Sequence, residues 1–241
     1  MGYYPIWNDP TFLIFIVPAL LLGLIAQAAV KGAFNKFSKV ATMRGLTGAQ
    51  AAREILDSNG LQGVAIEETQ GTLSDHYDPR SRTLRLSPGV GRSNSVAAVG
   101  VAAHETGHAI QHAQGYVPLK LRSTLVPAVQ FGTWLGPLII IGGILLQALM
   151  DAFPLGNTIA WIGVALFSLT ALFAFVTLPV ELDASARAKK LLVQYNIVDK
   201  QELNGVNRVL NAAAWTYVVA AIAALLQVLR WVFILTNKRR R

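Results

Sequence analysis

The sequence predicts an α-helical polytopic membrane protein with about four membrane helices and a polar α+β region between them. Three observations carry that reading. Of the 241 residues, 53% are apolar and only 14% charged, and the mean hydropathy is +0.45, beyond an ordinary soluble domain. The apolar residues gather into runs of about 20, the length a helix needs to cross a hydrocarbon core of about 30 Å. Residues 31–122 break that pattern with capping, turn and alternation signals.

The first span runs from about Thr11 to Val30 and holds no charge. Pro18 lies inside it, which membrane helices tolerate. Ahead of it, Tyr3, Tyr4 and Trp7 suit a membrane interface, and the positive stretch of a cleavable signal peptide is missing. Lys31, Lys36, Lys39 and Arg44 follow the span, so the positive-inside rule puts residue 31 onward in the cytoplasm. Within 31–122, Thr47 and Gln50 form a capping box for a helix that stops at Asn59-Gly60. Val64–Ile66 and Gly71–Tyr77 read as strands, Asp78-Pro79-Arg80-Ser81 as a turn, and Arg82–Leu86 as a half-buried strand. A helix then opens near Ser93-Asn94-Ser95 and ends at Gly115.

The second and third spans lie near 126–150 and 159–180, joined by the short hairpin link Asp151–Gly156. The polar segments 31–122 and 181–207 therefore share one side of the membrane. A fourth apolar run, about 211–236, contains Gln227 and Arg230 and leads into Lys238-Arg239-Arg240-Arg241. A full crossing would place that basic tail outside, so an interfacial or re-entrant course is the alternative. The organisation expected is thus 1–30 membrane helix, 31–122 first polar part, 123–180 membrane hairpin, 181–207 second polar part, and 208–241 membrane or interfacial helix with a basic tail.

Charge and composition narrow the partners. The formal net charge is +8, but Lys and Arg sit mostly beside apolar runs, where anionic headgroups of a lipid bilayer account for them. Nucleic acid is excluded as the favoured partner, because no helix-turn-helix or aromatic–basic pattern accompanies the charge. With no cysteine, a metal must be held by imidazole and carboxylate.

The chemistry concentrates in His104-Glu105-Thr106-Gly107-His108. Residues four apart share one helix face, so both imidazoles reach one Zn²⁺, and Glu105 beside them is placed as general base for an attacking water. Gly107 is expected to keep the helix face open beside the metal. The preceding Val96–Ala103 is small and apolar, so the helix is buried, and two His flanking a Glu there need a partner such as a metal. The third ligand is not the metzincin histidine, because that position is Gln114. Glu181 is favoured, in Leu178-Pro-Val-Glu-Leu-Asp-Ala-Ser185, with Asp183 as the competitor or as the group that orients a ligand His. His112 continues the stripe by one turn as an outer partner or a polar helix end. His76 is a candidate donor to substrate or oxyanion. Tyr217 in the last apolar run is a further candidate. The strand at Arg82–Leu86 is the expected sheet edge for an extended substrate.

The runs Ser74–Ser87, Gly100–His112, Leu178–Ser185 and Asn211–Tyr217 resemble the YugP-like bacterial membrane family of neutral zinc metallopeptidases. The resemblance covers nearly the whole chain. It implies a zinc-dependent peptidase of the bacterial inner membrane. The layout is more loosely similar to the HtpX/Ste24-type membrane proteases, whose acidic ligand is followed four residues later by Asp. Here that position is Ser185. Together these readings predict a gluzincin-like α+β zinc peptidase domain. They place His104, His108 and Glu181 on zinc, Glu105 as base, and membrane proteins or peptides as substrates. The alternative is a non-enzymatic zinc-binding scaffold acting through a partner membrane protein, in which His112 would close the metal shell.

Overall fold

Backbone capping sets the helices of the polar region. The computed structural model describes residues 10–150 and 152–238 and is mostly helical. Helix α1 (Val17–Phe37) follows one π-helical turn at Phe12–Ile16. Helix α2 (Gly48–Ser58) starts at Thr47, whose hydroxyl accepts from the Gln50 N–H while the Gln50 side chain accepts from the Thr47 N–H. That reciprocal box satisfies two orphan donors, as the sequence predicts. The helix gives way at Asn59 to Gly60, whose φ of +73° suits a residue without Cβ. A single turn, α3 (Pro88–Gly91), precedes α4 (Val96–Ala113), which is capped by the Ser95 hydroxyl accepting from the Ala98 N–H. Three long helices complete the chain: α5 (Val117–Leu149), α6 (Phe153–Gln194) and α7 (Lys200–Lys238).

Between α2 and α3 lies a three-stranded sheet in the order β1-β3-β2, built from β1 (Ala65–Glu68), β2 (His76–Asp78) and β3 (Thr83–Leu86). Strand β1 runs parallel to β3 and β2 antiparallel to it. Two expectations change. Gly71–Tyr77 is not one strand, because Gly71 (φ +106°) and Leu73 (φ +55°) turn the backbone out of the extended region, leaving only the stretch from His76. And β3 is not an edge. It is the central strand, with ladder partners on both sides, so the free edges belong to β1 and β2.

The chain forms two compact units. One comprises Ala26–Lys120 with Pro179–Thr216. Its core fills with side chains. Ile55, Val99, Leu192, Val206 and Leu210 pack on one flank of α4. Leu56, Leu84, Leu86, Val90, Ala102 and Ala109 pack beneath the sheet on the other. Burying each of the Leu, Ile and Val side chains stabilises by about 1.5–3 kcal/mol. Helix α4 is therefore held from both sides, which fixes any group it carries.

The other unit comprises, among the described residues, 10–25, 121–150, 152–178 and 217–238. Its large apolar side chains point outward, with Leu24 63% and Trp134 78% exposed, which suits lipid and not water. Among the described residues, four helical stretches are long and apolar enough to cross a membrane: Phe12–Phe37, Val117–Leu149, Phe153–Gln194 and Lys200–Asn237. The fourth apolar run thus belongs to one continuous helix with the length of a full crossing. Its Arg230 donates to the Thr11 hydroxyl at 3.2 Å, so the charge inside the run is hydrogen-bonded within the unit. The hairpin link is shorter than expected, since α6 already begins at Phe153 with Pro154 in its first turn, where a missing N–H costs little. Tyr3, Tyr4, Trp7, Asp151 and residues 239–241 lie outside the described residues.

Candidate metal centre

Position 107 decides how closely α4 meets α6. A Cβ there would lie 2.7 Å from the Ala184 carbonyl oxygen, so glycine lets the α6 backbone pass against α4. The face beside Gly107 is filled by α6, not left open as the sequence reading expected. The close approach brings Glu181 and Ser185, one turn apart on α6, to His104 and His108, one turn apart on α4.

Glu181 Oε2 stands 3.2 Å from His104 Nε2 and 3.5 Å from His108 Nε2. The two imidazole rings are 4.8 Å apart and nearly perpendicular, at 86°. One ligand atom from each of the three residues lies within 4.8 Å of the others. Donors around a tetrahedral zinc, at about 2.0–2.2 Å each, stand about 3.3 Å apart, so this set matches a shared ion. Glu181 is only 2% exposed, and a carboxylate that deep needs a cationic or metal partner.

The imidazoles are also oriented. The Gln111 side-chain amide donates to the Val180 carbonyl at 2.8 Å and to Asp183 Oδ2 at 2.7 Å. Its oxygen is therefore the acceptor that faces His108 Nδ1 at 3.0 Å. That places the proton on Nδ1 and leaves the Nε2 lone pair free for a metal. Ser185 Oγ lies 3.0 Å from His104 Nδ1 and can accept the equivalent bond. Asp183 touches neither imidazole. It holds Gln111 and the Arg187 guanidinium, so its influence on His108 passes through an amide.

Glu105 is half-buried beside this group, and its Oε2 accepts from the Tyr77 N–H of β2 at 3.1 Å. Burial pushes the Glu105 carboxyl above its ordinary range, against the pull of the His104 and His108 imidazoles. A carboxylate made more basic in this way is a better proton acceptor near neutral pH. Burial also pulls His108 down, but its hydrogen bond to Glu181 and the nearby Glu105 charge outweigh that, leaving it raised. A bound dication would reverse the balance, because a ligating imidazole must be neutral.

His112 and His76 lie elsewhere in the polar unit. His112 sits beside Tyr77, with Nδ1 2.9 Å from the Tyr77 hydroxyl, and is not part of the metal group. His76 is exposed and bonded to its own loop through the Ser74 carbonyl at 2.8 Å. Side chains alternate along a strand, so the residue that β2 turns toward α4 is Tyr77. Tyr217 falls in the unit of apolar helices. Tyr77, Gln111 and the direct role of Ser185 are not among the residues the sequence singles out. Strand alternation pointed to the first, and helical spacing from His108 and Glu181 to the others.

A family model described as "Putative neutral zinc metallopeptidase" matches residues 12–236. The chain is also 46% identical over 228 residues to "Putative membrane protease YugP" of Bacillus subtilis (strain 168), covering 95% of this chain and 98% of that protein. No solved structure matches significantly.

Proposed function

The chain belongs to the neutral zinc metallopeptidase family, and from that membership we propose that it is a membrane-embedded, gluzincin-like endopeptidase using His104, His108 and Glu181 as ligands and Glu105 as base. The observation that carries the reading is the convergence of those three donors, with no fourth His, Asp or Glu among the described residues joining them. A structural zinc closes its shell with protein ligands, whereas a catalytic one keeps a position for water. The scaffold alternative relied on His112 as the closing ligand, and His112 is bonded to Tyr77.

Bound zinc supplies Lewis acidity toward the attacking water and the scissile carbonyl. Glu105 takes the proton of that water and returns it to the leaving amine. Gln111 and Ser185 hold the two imidazoles in the tautomer and rotation that ligation needs. The outer edge of β2 borders this chemistry, since the Tyr77 N–H faces Glu105. An extended substrate adds to β2, and not to β3 as the sequence reading expected. The basic residues after the first span favour a site on the cytoplasmic face of a bacterial inner membrane. The substrates are then membrane proteins or peptides close to the headgroups.

The test compares wild type with Glu105→Gln, full-length and in detergent, for zinc content and for cleavage of a quenched unfolded-protein substrate. The expected outcome is unchanged zinc with turnover reduced about 10²–10⁴-fold, the range of a lost general base. Equal turnover above background in the two proteins would remove Glu105 from the mechanism. Background turnover in both, with zinc retained, would favour the scaffold.

A further inference from the structure

Beside β2 lies a cavity of about 370 Å³ that shares Tyr77 with the metal centre although none of the three ligands lines it. Leu61, Val64 and Ala109 form apolar walls, and Tyr77, His112 and Arg82 are its polar groups. None of the described residues lining it is acidic. The rim is built in advance. The Arg53 guanidinium donates to the Val64 carbonyl at 2.7 Å and the Leu61 carbonyl at 3.0 Å, and pairs with Asp57 at 2.8 Å.

Arg82 differs from Arg53 and Arg85. Arg53 is engaged in that rim, and Arg85 pairs with Asp78 and Glu67. Arg82 is exposed at the cavity, its guanidinium forms no hydrogen bond or ion pair with the described residues, and it sits at φ +52°, a conformation unfavourable for a residue with a side chain. Behind it, one hydrogen bond joins the Tyr77 hydroxyl to His112 Nδ1 at 2.9 Å. Whichever partner donates, a second donor remains, either the tyrosine O–H or a His112 N–H. The cavity therefore offers a guanidinium, a neutral donor and no competing carboxylate.

Its position ties it to the reacting bond. Ala109 follows Glu105 by one helical turn, and Tyr77 meets Glu105 through its backbone N–H and the cavity through its ring. We propose that this cavity is a specificity subsite that takes a carboxylate of the substrate, either an Asp or Glu side chain or a free C-terminus, through Arg82. Its meaning as a subsite rests on the peptidase reading, but carboxylate binding there does not require turnover. Guanidinium–carboxylate pairs are short and directional, so a carboxamide of the same shape is rejected.

The test uses zinc-loaded, full-length Glu105→Gln protein and labelled peptides that differ at one group. One series walks a single Glu through an amidated peptide, a second carries Gln at the same positions, and a third keeps Gln with a free C-terminus. One carboxylate peptide should bind at least about tenfold more tightly than its neutral twin, as a charged hydrogen bond implies. The preference should vanish in Glu105→Gln/Arg82→Gln with zinc content unchanged, and Arg82→Glu should favour a Lys peptide. The series that wins identifies side chain or C-terminus. Equal affinity of all twins, no saturable binding, or a preference that survives Arg82→Gln overturns the subsite. Incubating the preferred peptide with wild type separates the two claims: tight, Arg82-dependent binding without cleavage would sink the peptidase reading and leave the carboxylate site standing.

Discussion

The two units of this chain use one device, the glycine that lets backbones touch, for opposite ends. In the unit of apolar helices, a Cβ at Gly163 would lie 2.7 Å from Ile140 N and 2.8 Å from Gly136 O, so α5 and α6 meet through small residues while larger side chains face outward. Lipid gives no hydrophobic drive for helices to associate, and close van der Waals approach supplies the contact instead. In the polar unit, Gly107 brings α6 onto α4 within an interior already filled by aliphatics, and what the approach delivers is polar: Glu181, Ser185 and Asp183. The same packing move is structural where the surroundings are apolar and chemical where buried polar groups satisfy one another.

That contrast predicts where substitutions act, read as zinc affinity of the full-length protein in detergent. Glu181→Ala should have the largest effect. It removes one of three donors and leaves two imidazoles facing an apolar interior, so affinity should fall about a thousandfold, beyond the 10–100-fold typical of outer partners. Competition with a chromogenic chelator measures it. Affinity within tenfold of wild type would mean that another carboxylate completes the site. Gln111→Leu comes next. His108 Nδ1 loses its acceptor and Asp183 its amide, so the tautomer is no longer enforced and affinity should fall about 10–100-fold. Gln111→Met, which keeps the length of the side chain without an acceptor oxygen, should lose as much affinity, which separates orientation of the imidazole from simple loss of volume.

What could be read from the sequence follows the range of the interactions. The capping box at Thr47 and Gln50 is local, and so is the stripe of His104 and His108, one helical turn apart. Glu181 could be singled out because a short hairpin between two spans returns the chain to the side it left, and few carboxylates follow. The strand order could not. Alternation tells which side chains face the core but not which strand lies next to which, so β3 looked like an edge when it is central. The orienting bonds were hidden for a related reason: Ser185 reaches His104 across 81 residues and Asp183 reaches Gln111 across 72, set by the close approach at Gly107. Asp183 drew attention as an acid, whereas the neighbours of the imidazoles are a hydroxyl and an amide, residue types too common to stand out.

The smallest effect on zinc should come from Gly163→Val, and it tests the contrast from the other side. The added side chain collides with Ile140 N and the Gly136 carbonyl, backbone atoms that cannot rotate away, so the α5–α6 contact must open. Overpacking of this kind costs about 1–3 kcal/mol, and the loss should appear as a lower midpoint of thermal unfolding in detergent. The hydrogen bonds that orient His104 and His108 come from Gln111 on α4 and from Glu181 and Ser185 on α6, the latter two about five helical turns from 163 along the helix. Zinc affinity should therefore stay within about twofold, as for well-separated sites whose effects add. A tenfold loss of zinc in Gly163→Val would show that α6 transmits strain along its length, and that the metal centre depends on how the apolar helices pack.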